Sequence, residues 1–147
     1  MSSKEKVVGC FEVVSFPDLS VVSEMAKIDT GAYSGALHCK DIHVVRRGKD
    51  RKRILKFSTS GSSSKPFETD TFEETYVRSS LGHRVKRFII TTRMAISGDE
   101  YAVKIGLSDR SDMKREVLVG RRFLREYSIL VDVRINSEFD DEGENTR

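Results

Sequence analysis

Apolar residues recur along the chain in short runs, which polar or glycine-containing segments separate. The clearest run spans residues 101–107, where Val103, Ile105 and Leu107 alternate with other residues at the spacing of a half-buried β-strand. Runs rich in β-branched and aromatic residues predict further strands. They lie at residues 7–16, 19–28, 36–45, 54–57, 67–77, 85–94, 117–120 and 128–133.

A helical pattern occurs once, at residues 121–127, where Phe123, Leu124 and Tyr127 are spaced to form one apolar face. Many short strands and one short helix predict an all-β fold, a small closed or folded-over β-barrel. The polar stretch at residues 58–66 contains serine, glycine and proline, and it predicts a mobile loop.

The two ends of the chain differ in composition from its centre. We predict a flexible N-terminus at residues 1–6 and a single domain at residues 7–135. Residues 136–147 are rich in aspartate and glutamate, which predicts a disordered acidic tail.

Composition limits the class of protein. The chain has 147 residues, 33% of them charged, with a formal net charge of +3. This length fits one domain, and so small a net charge gives no argument for nucleic-acid binding. Cys10 and Cys39 are too few for a disulfide framework. We find no signal peptide and no apolar stretch that could span a bilayer, so we expect a cytoplasmic protein without a membrane partner.

One stretch carries candidate chemistry, because the apolar run at residues 19–28 leads into Asp29-Thr30-Gly31. An aspartic protease uses this tripeptide to hold its catalytic carboxylate, and two such carboxylates must lie close enough to share one proton. Glycine permits the tight turn, and the threonine hydroxyl can brace it. The alternative is a loop aspartate that caps its own turn.

Three segments, taken in order, resemble one known family. They contain Asp29-Thr30-Gly31-Ala32, then Val77-Arg78-Ser79-Ser80-Leu81-Gly82, then Leu107-Ser108-Asp109-Arg110-Ser111-Asp112-Met113 with Val117-Leu118-Val119-Gly120. Over roughly residues 8–133 the chain resembles the retropepsin-like family known as ATP-dependent zinc proteases. Members of that family often accompany an ATP-grasp glutamate ligase that modifies a ribosomal protein.

The resemblance implies an all-β, retropepsin-like acid-protease barrel, present as a single lobe with one short C-terminal helix. In such a lobe an apolar-apolar-Gly element lies beneath the active loop, and Leu118-Val119-Gly120 matches it. The chain has one Asp-Thr-Gly, so a working dyad needs a homodimer with one Asp29 from each subunit. The implied catalytic residues are Asp29, Thr30 and Gly31, and the reaction is attack of a dyad-bound water on a peptide carbonyl.

The resemblance also implies residues that bind substrate. A hairpin at residues 77–83 forms a flap over the peptide, and its substrate-binding residues are Arg78, Ser79, Ser80 and Gly82. The alternatives are an ordinary surface hairpin and a solvated arginine. Asp109 and Arg110 read the substrate or orient Asp29, and the alternative for them is a structural salt-bridge network.

Lys27 departs from a typical retropepsin, which has an apolar residue at that place. On an extended strand Lys27 and Asp29 point to the same side. An ammonium group so close to a carboxylate favours its ionised form. We therefore expect Lys27→Leu to raise the pH range of activity.

Two other groups of residues suggest ligands. His38 lies on a predicted strand and faces the side opposite to Cys39 and His43, so these residues do not converge, and we predict no metal and no cofactor. The charged run at residues 46–53 is either a docking site for RNA, a ribosome or an acidic peptide, or a solvated hairpin turn.

The sequence therefore predicts an aspartic-type peptidase that acts as a homodimer on a peptide or protein substrate. The association with glutamate ligation implies acidic, glutamate-containing tails as substrates and a ribosomal protein as partner. The alternative is a non-catalytic retropepsin-fold module that binds an acidic peptide or a ribosomal partner.

Overall fold

The computed structural model describes residues 5–78 and 81–140 of the chain. Within these residues the fold consists of twelve strands, one α-helix and two short 3-10 turns. The strands are β1 (Lys6–Val8), β2 (Phe11–Phe16), β3 (Val21–Ile28), β4 (Ala36–His38), β5 (Lys40–Arg47), β6 (Lys52–Ser58), β7 (Phe67–Thr69), β8 (Glu73–Arg78), β9 (Arg84–Ile96), β10 (Asp99–Ser108), β11 (Val117–Val119) and β12 (Ile129–Val131). The helix is α1 (Arg121–Glu126), and the 3-10 turns are Pro17–Leu19 and Ser137–Phe139.

Six strands close into a barrel, in the ring order β2, β3, β11, β4, β10 and β9. The antiparallel pairing of β9 with β10 and of β9 with β2 completes the ring. Strand β8 is attached to the outer edge of β9 as a hairpin arm. The predicted all-β, single-lobe barrel with one short helix is therefore confirmed.

The barrel interior is filled by the apolar side chains that the alternating pattern picked out. Val103, Ile105 and Leu107 of β10 are buried, whereas Lys104 between the first two is half-buried and Ala102, just before them, is exposed. Residues with the largest fully buried side chains come from most parts of the chain, and they include Phe16, Leu37, Phe57, Met94, Ile96 and Val117. Each such side chain contributes roughly 1.5–3 kcal/mol by leaving water.

Several predicted runs are interrupted where the backbone must bend. The run at residues 7–16 is divided between β1 and β2 at Gly9, where a Cβ atom would lie 2.5 Å from the Ile135 carbonyl oxygen. The run at residues 36–45 is divided at Cys39, whose N–H donates to the Ser108 carbonyl at 2.9 Å. The hydrophobic pattern alone does not predict these strand interruptions, because the atoms that force the bends come from distant parts of the chain.

The polar stretch at residues 58–66 is anchored at its start, which corrects the prediction of a mobile loop there. Thr59 is buried, and its hydroxyl donates to the Leu19 carbonyl at 2.8 Å. A Cβ atom on Gly61 would lie 1.7 Å from the Ser20 carbonyl oxygen, so the loop backbone contacts the Pro17–Leu19 turn directly. A buried threonine with a satisfied hydroxyl fixes this segment without apolar side chains.

Strands β5, β6 and β7 form a separate three-stranded sheet that carries the basic run at residues 46–53. Three cations of this run are paired with carboxylates in or next to β7 and β8. The pairs are Arg47 with Glu68 at 2.6 Å, Lys52 with Asp70 at 2.7 Å, and Arg53 with Glu74. This pairing lowers the net positive charge of the hairpin and favours a solvated turn over a nucleic-acid dock.

Both predicted domain boundaries differ from the structure. Lys6 lies in β1, which pairs in parallel with β12, and its ammonium group contacts Asp99 at 2.7 Å. At the other end, residues 136–140 are ordered against the barrel, because the Asn136 amide donates to the Phe11 carbonyl at 2.6 Å. The remaining residues of the predicted N-terminus and tail, 1–4 and 141–147, lie outside the described part of the chain. In the described part, no helix is long and apolar enough to cross a membrane.

Candidate active site

Asp29 is the first residue after β3, at the point where this central barrel strand ends. Its backbone N–H donates to the Val119 carbonyl of β11 at 2.8 Å. Strand β11 pairs in parallel with β3 and antiparallel with β4, so it lies directly between the two strands that flank the Asp29 loop. The structure therefore places Leu118-Val119-Gly120 against the loop, where the sequence resemblance located it.

Two glycines allow the Asp29 loop and the β11–α1 connection to approach closely. Gly35 has a positive φ of 73°, and a Cβ atom there would lie 2.4 Å from the Leu118 carbonyl oxygen. A Cβ atom on Gly120 would lie 2.4 Å from the Tyr33 carbonyl oxygen. Neither position has space for a larger residue, so the two loops are locked together at backbone distance.

Hydrogen bonds also connect the two loops, and a further one fixes the position of the Asp29 carboxylate. The first two N–H groups of α1 donate to loop carbonyls, Arg121 to Ala32 at 2.8 Å and Arg122 to Tyr33 at 2.9 Å. The Gly31 N–H donates to Asp29 Oδ1 at 3.0 Å. Because the loop is held from both sides, the half-buried carboxylate has a defined position.

Thr30 and Gly31 serve the loop through their backbones. The side chain of Arg121 donates from Nη1 to the Gly31 carbonyl at 3.0 Å and to the Thr30 carbonyl at 3.4 Å. Thr30 itself is exposed. An arginine thus binds the two carbonyls that follow the candidate catalytic residue.

The Asp29 carboxylate faces a groove of about 210 Å³. The groove is lined by Phe11, Lys27, Asp29, Arg110, Met113, Lys114, Arg115, Leu118, Phe139 and Asp140. Lys27 shares the groove with Asp29, as two residues on the same side of an extended strand must. Of the predicted substrate-binding residues within the described part of the chain, Arg110 is the one that lines it.

Arg110 is held in a fixed position beside Asp29. Its Nε donates to the Arg115 carbonyl at 3.0 Å, and its backbone N–H donates to His38 Nδ1 at 2.8 Å. Burial lowers the pKa of the Arg110 guanidinium, and the charge of Arg87 acts in the same direction, whereas Asp29 opposes the shift. A partly desolvated guanidinium near a carboxylate is suited to bind an anionic group.

The other predicted substrate-binding residues that the structure describes, Asp109, Arg78 and Gly82, do not line this groove. Asp109 accepts hydrogen bonds from the Ser111 hydroxyl and, at 3.0 Å, from the Ser111 N–H, which lower the pKa of Asp109. Arg78 donates from Nη1 to the Gly82 carbonyl at 3.2 Å, across the β8–β9 hairpin. Ser79 and Ser80 lie outside the described residues.

A second cavity, of about 510 Å³, lies on the other side of the Asp29 loop. Its lining includes Tyr33 and Gly35 from the loop, Arg87 from β9, and Val77, the first residue of the predicted flap. The β8–β9 hairpin therefore shares this cavity with the loop that holds Asp29, and its role as a flap stays a prediction. The described hairpin residues Arg78 and Gly82 are not part of this lining.

In the structure, the side chains considered as candidate metal ligands are in states that do not favour metal binding. His38 Nδ1 accepts the Arg110 N–H, which uses the lone pair that a metal would need. Burial raises the pKa of the Cys39 thiol to about 12, which disfavours the thiolate. Among the residues that the structure describes, no group of three or more His, Cys, Asp and Glu side chains could hold a metal ion.

Sequence reasoning missed several lining residues. Lys114 and Arg115 stand in the same charged loop as Arg110, so the run of charges at residues 109–116 is a signal that could have found them. Phe11 and Phe139 carry no such signal, because they come from opposite ends of the domain.

Comparisons with known proteins agree with this geometry. Residues 7–139 match the family described as RimB-like, retropepsin-like aspartic endopeptidase RimB. A probable alpha-L-glutamate ligase of Shewanella pealeana is 26% identical over 124 residues, which cover 82% of this chain and 27% of the ligase. A probable alpha-L-glutamate ligase of Desulfotalea psychrophila is 24% identical over 136 residues, which cover 86% of this chain and 28% of the ligase.

The chain thus spans about a quarter of the length of the curated relatives that it matches. Among solved structures, a Legionella pneumophila protein of unknown function (DUF785) superposes with a TM-score of 0.63 at 21% identity. The match covers 90% of this chain and 96% of the other. At 21% identity, this structural similarity is evidence for the fold alone.

Proposed function

This chain belongs to the RimB-like family of retropepsin-like aspartic endopeptidases, and from that premise we propose that it is an aspartic-type peptidase that works as a homodimer. One observation carries the proposal. The Asp29 carboxylate is half-buried in a groove and bonded to the Gly31 N–H, in a loop held by β11. A carboxylate so positioned can act on a bound peptide without moving.

The proposed reaction uses two Asp29 carboxylates that share one proton. The ionised carboxylate accepts a proton from a water molecule, and the water oxygen forms a bond to the carbonyl carbon of the peptide. The protonated carboxylate donates its proton to the carbonyl oxygen. In the tetrahedral intermediate the carboxylate that took the water proton donates it to the amide nitrogen, and the other carboxylate takes back a hydroxyl proton. The carbon–nitrogen bond then breaks, an acid and an amine are released, and the dyad again holds one proton.

The second Asp29 comes from a second subunit in this proposal. The other carboxylate that lines the groove, Asp140, follows the Ser137–Phe139 turn and has no Thr-Gly loop to hold it. A twofold-symmetric dimer brings identical loops together, and this is the commonest oligomer symmetry.

We propose acidic, glutamate-containing tails as the substrate. The matched relatives are named glutamate ligases, and a chain that resembles part of such a ligase is a candidate to act on the same glutamate-rich material. Cationic side chains beside Asp29 support this choice. A glutamate-tailed ribosomal protein in the cytoplasm is the partner that we propose.

The first test compares the parent with Asp29→Asn on fluorogenic peptides that carry glutamate tails. The variant is expected to lose at least 10³-fold in kcat, an estimate of roughly the size seen when a catalytic group is removed. Asp41→Asn, in β5 outside the groove, is the matched control and should retain activity. A parent that cleaves none of these peptides, or an Asp29→Asn variant as active as the parent, contradicts the proposal.

The second test asks whether two Asp29 loops meet. In a Cys10→Ser background, which removes the half-exposed thiol, Asp29→Cys is treated with a short bis-maleimide. A covalent dimer is expected, and Thr59→Cys at a buried site away from the groove is the control that should remain monomeric. Absence of cross-linked dimer at concentrations where light scattering shows a dimer argues against the shared dyad.

A non-catalytic module that binds acidic peptides is the second candidate, because each chain supplies one Asp-Thr-Gly and several groove cations. The two functions separate in the first test. Tight binding of an acidic peptide without cleavage by the parent favours the module.

A further inference from the structure

The groove beside Asp29 has a local excess of positive charge. Four cations line it, Lys27, Arg110, Lys114 and Arg115, together with the two carboxylates of Asp29 and Asp140. Many cations elsewhere on the described surface are paired, for example Arg93 with Asp18 at 2.7 Å. In contrast, the ion pairs of the described residues include none formed by Lys27, Arg110 or Arg115. Clustered cations of this kind favour a ligand with carboxylates.

The C-terminal segment at residues 137–140 is anchored at the edge of this groove. Arg115 donates from Nη2 to the Phe139 carbonyl at 3.1 Å. The Phe139 ring packs edge-on against Phe11, with ring centroids 6.5 Å apart, and the Arg115 guanidinium lies 5.0 Å from the centre of the same Phe11 ring. The Asn136 amide holds the start of the segment at the Phe11 carbonyl. Arg115 and Phe11 thus bind the segment through both its backbone and its side chain.

The segment places one acidic residue, Asp140, in the groove. Phe139 and Asp140 line the same groove as Asp29. Burial raises the pKa of the Cys10 thiol, and the negative charges of Asp140 and Glu138 raise it further, so both carboxylates lie near the barrel wall at Cys10. The sequence then continues with Asp141 and Glu142.

We propose that residues 137–140 are an intramolecular ligand of a carboxylate-binding subsite next to Asp29, and that an acidic peptide must displace them to bind. The segment resembles the proposed substrate in its charge and differs from it in being tethered. The inference rests on the proposed function for the nature of the competing peptide, but the competition itself does not require cleavage. The subsite cations would then determine which peptide binds. They would also determine the fraction of molecules in which residues 137–140 fill the subsite.

Competition of this kind has a simple quantitative consequence. If the free groove is only a fraction of the population, the apparent Kd for an added peptide is the intrinsic Kd divided by that fraction. Release of the segment is therefore expected to lower the apparent Kd, whereas loss of a subsite cation is expected to raise it.

The test measures binding of fluorescein-labelled tetraglutamate by anisotropy, in the full chain with Asp29→Asn so that no cleavage occurs. The double change Phe139→Ala with Asp140→Ser removes the ring contact and the carboxylate of the segment. It is expected to lower the Kd at least threefold. Val22→Ala with Asp50→Ser, which removes an exposed apolar side chain and an exposed carboxylate elsewhere, is the matched control and should leave the Kd unchanged.

A second pair of variants tests the subsite. Lys114→Ala is expected to raise the Kd for tetraglutamate at least threefold, and Lys49→Ala in the β5–β6 turn should not change it. A Kd that is the same in the parent, the released variant and Lys114→Ala, with folding verified by thermal melting, overturns the inference. Because binding is read without cleavage, an inactive parent that shows the expected binding pattern refutes the peptidase and leaves this inference standing.

Discussion

Lys27 and Asp29 are two residues apart at the end of β3 and line one groove. The lysine places a positive charge at the edge of the candidate catalytic site. Together with Arg110, the lysine makes the surroundings of Asp29 cationic. At the scale of single residues, this is the feature that most separates the site from an ordinary acid protease.

Replacement of the lysine tests what this charge does. Lys27→Leu is expected to shift the pH–rate profile of peptide cleavage upward, because it removes a positive charge from the edge of the proposed carboxylate dyad. Lys49→Leu, in the exposed β5–β6 turn, should leave the profile in place. The measurement is kcat/KM from pH 3 to pH 8, and superimposable profiles for the parent and Lys27→Leu would contradict the expectation.

At the scale of elements, the Asp29 loop and the β11–α1 connection behave as one unit. Gly35, Gly120 and the N–H groups of Arg121 and Arg122 bring their backbones into contact. Neither loop can keep its conformation if the other moves. The position of the candidate catalytic carboxylate therefore depends on a strand that lies far from it in sequence.

Gly35→Ala tests this coupling. A methyl group at Gly35 meets the Leu118 carbonyl and also strains a backbone with positive φ, so a loss of at least about 2 kcal/mol in the free energy of unfolding is expected. Gly98→Ala is the matched control, because Gly98 has a similar φ of 84° but open space around it. Strain alone should cost that variant about 1 kcal/mol. Equal losses for the two variants in urea unfolding would show that the close contact has no effect.

Local chemistry explains which elements could be predicted from the sequence. The turn at Asp29-Thr30-Gly31 and the alternation along β10 depend on neighbouring residues, so both could be predicted. The division of the first run at Gly9 and the anchoring of Thr59 could not, because Ile135 and Leu19 cause them from distant positions.

The lining of the candidate site could not be fully predicted either, because it also depends on contacts between remote segments. The loop at residues 109–116 and Lys27 meet in one groove only because β3 pairs with β11. The sequence resemblance pointed to Arg110, but not to Lys114, Arg115 or Phe139 as its neighbours. Which charges share a groove is a property of strand pairing between remote segments, and a charge pattern along the chain does not contain it.

At the scale of the whole molecule, the parallel pairing of β1 with β12 joins the two ends of the domain. Asp132 follows β12, and its N–H donates to the Val8 carbonyl at 2.9 Å. Its carboxylate accepts two hydrogen bonds from the Arg134 guanidinium, at 2.8 Å and 3.0 Å. These bonds and the Arg134 N–H lower the pKa of Asp132 to about 2.

This pair predicts a pH dependence of stability. Because the pKa of Asp132 is about 2 in the folded state and about 3.9 in an unfolded chain, the stabilisation is complete above about pH 4 and is lost as the pH falls through 2. Asp132→Asn should therefore melt at a lower temperature than the parent at pH 5, and the difference should vanish near pH 2. Arg134→Ala removes the same pair and should behave alike. A difference in Tm that stays constant from pH 7 to pH 2 would rule out this origin.

The pairing of β11 with β3 also determines at which stage of protein synthesis the Asp29 site can form. During translation, β3 and the Asp29 turn leave the ribosome before Val119 and Gly120, because β11 follows β3 in the sequence. Contacts between such remote segments form slowly and only once both are present. Nascent chains arrested before Val117 are thus expected to lack a positioned carboxylate. The proposed peptide cleavage is thus expected only from chains in which β11 has already paired with β3.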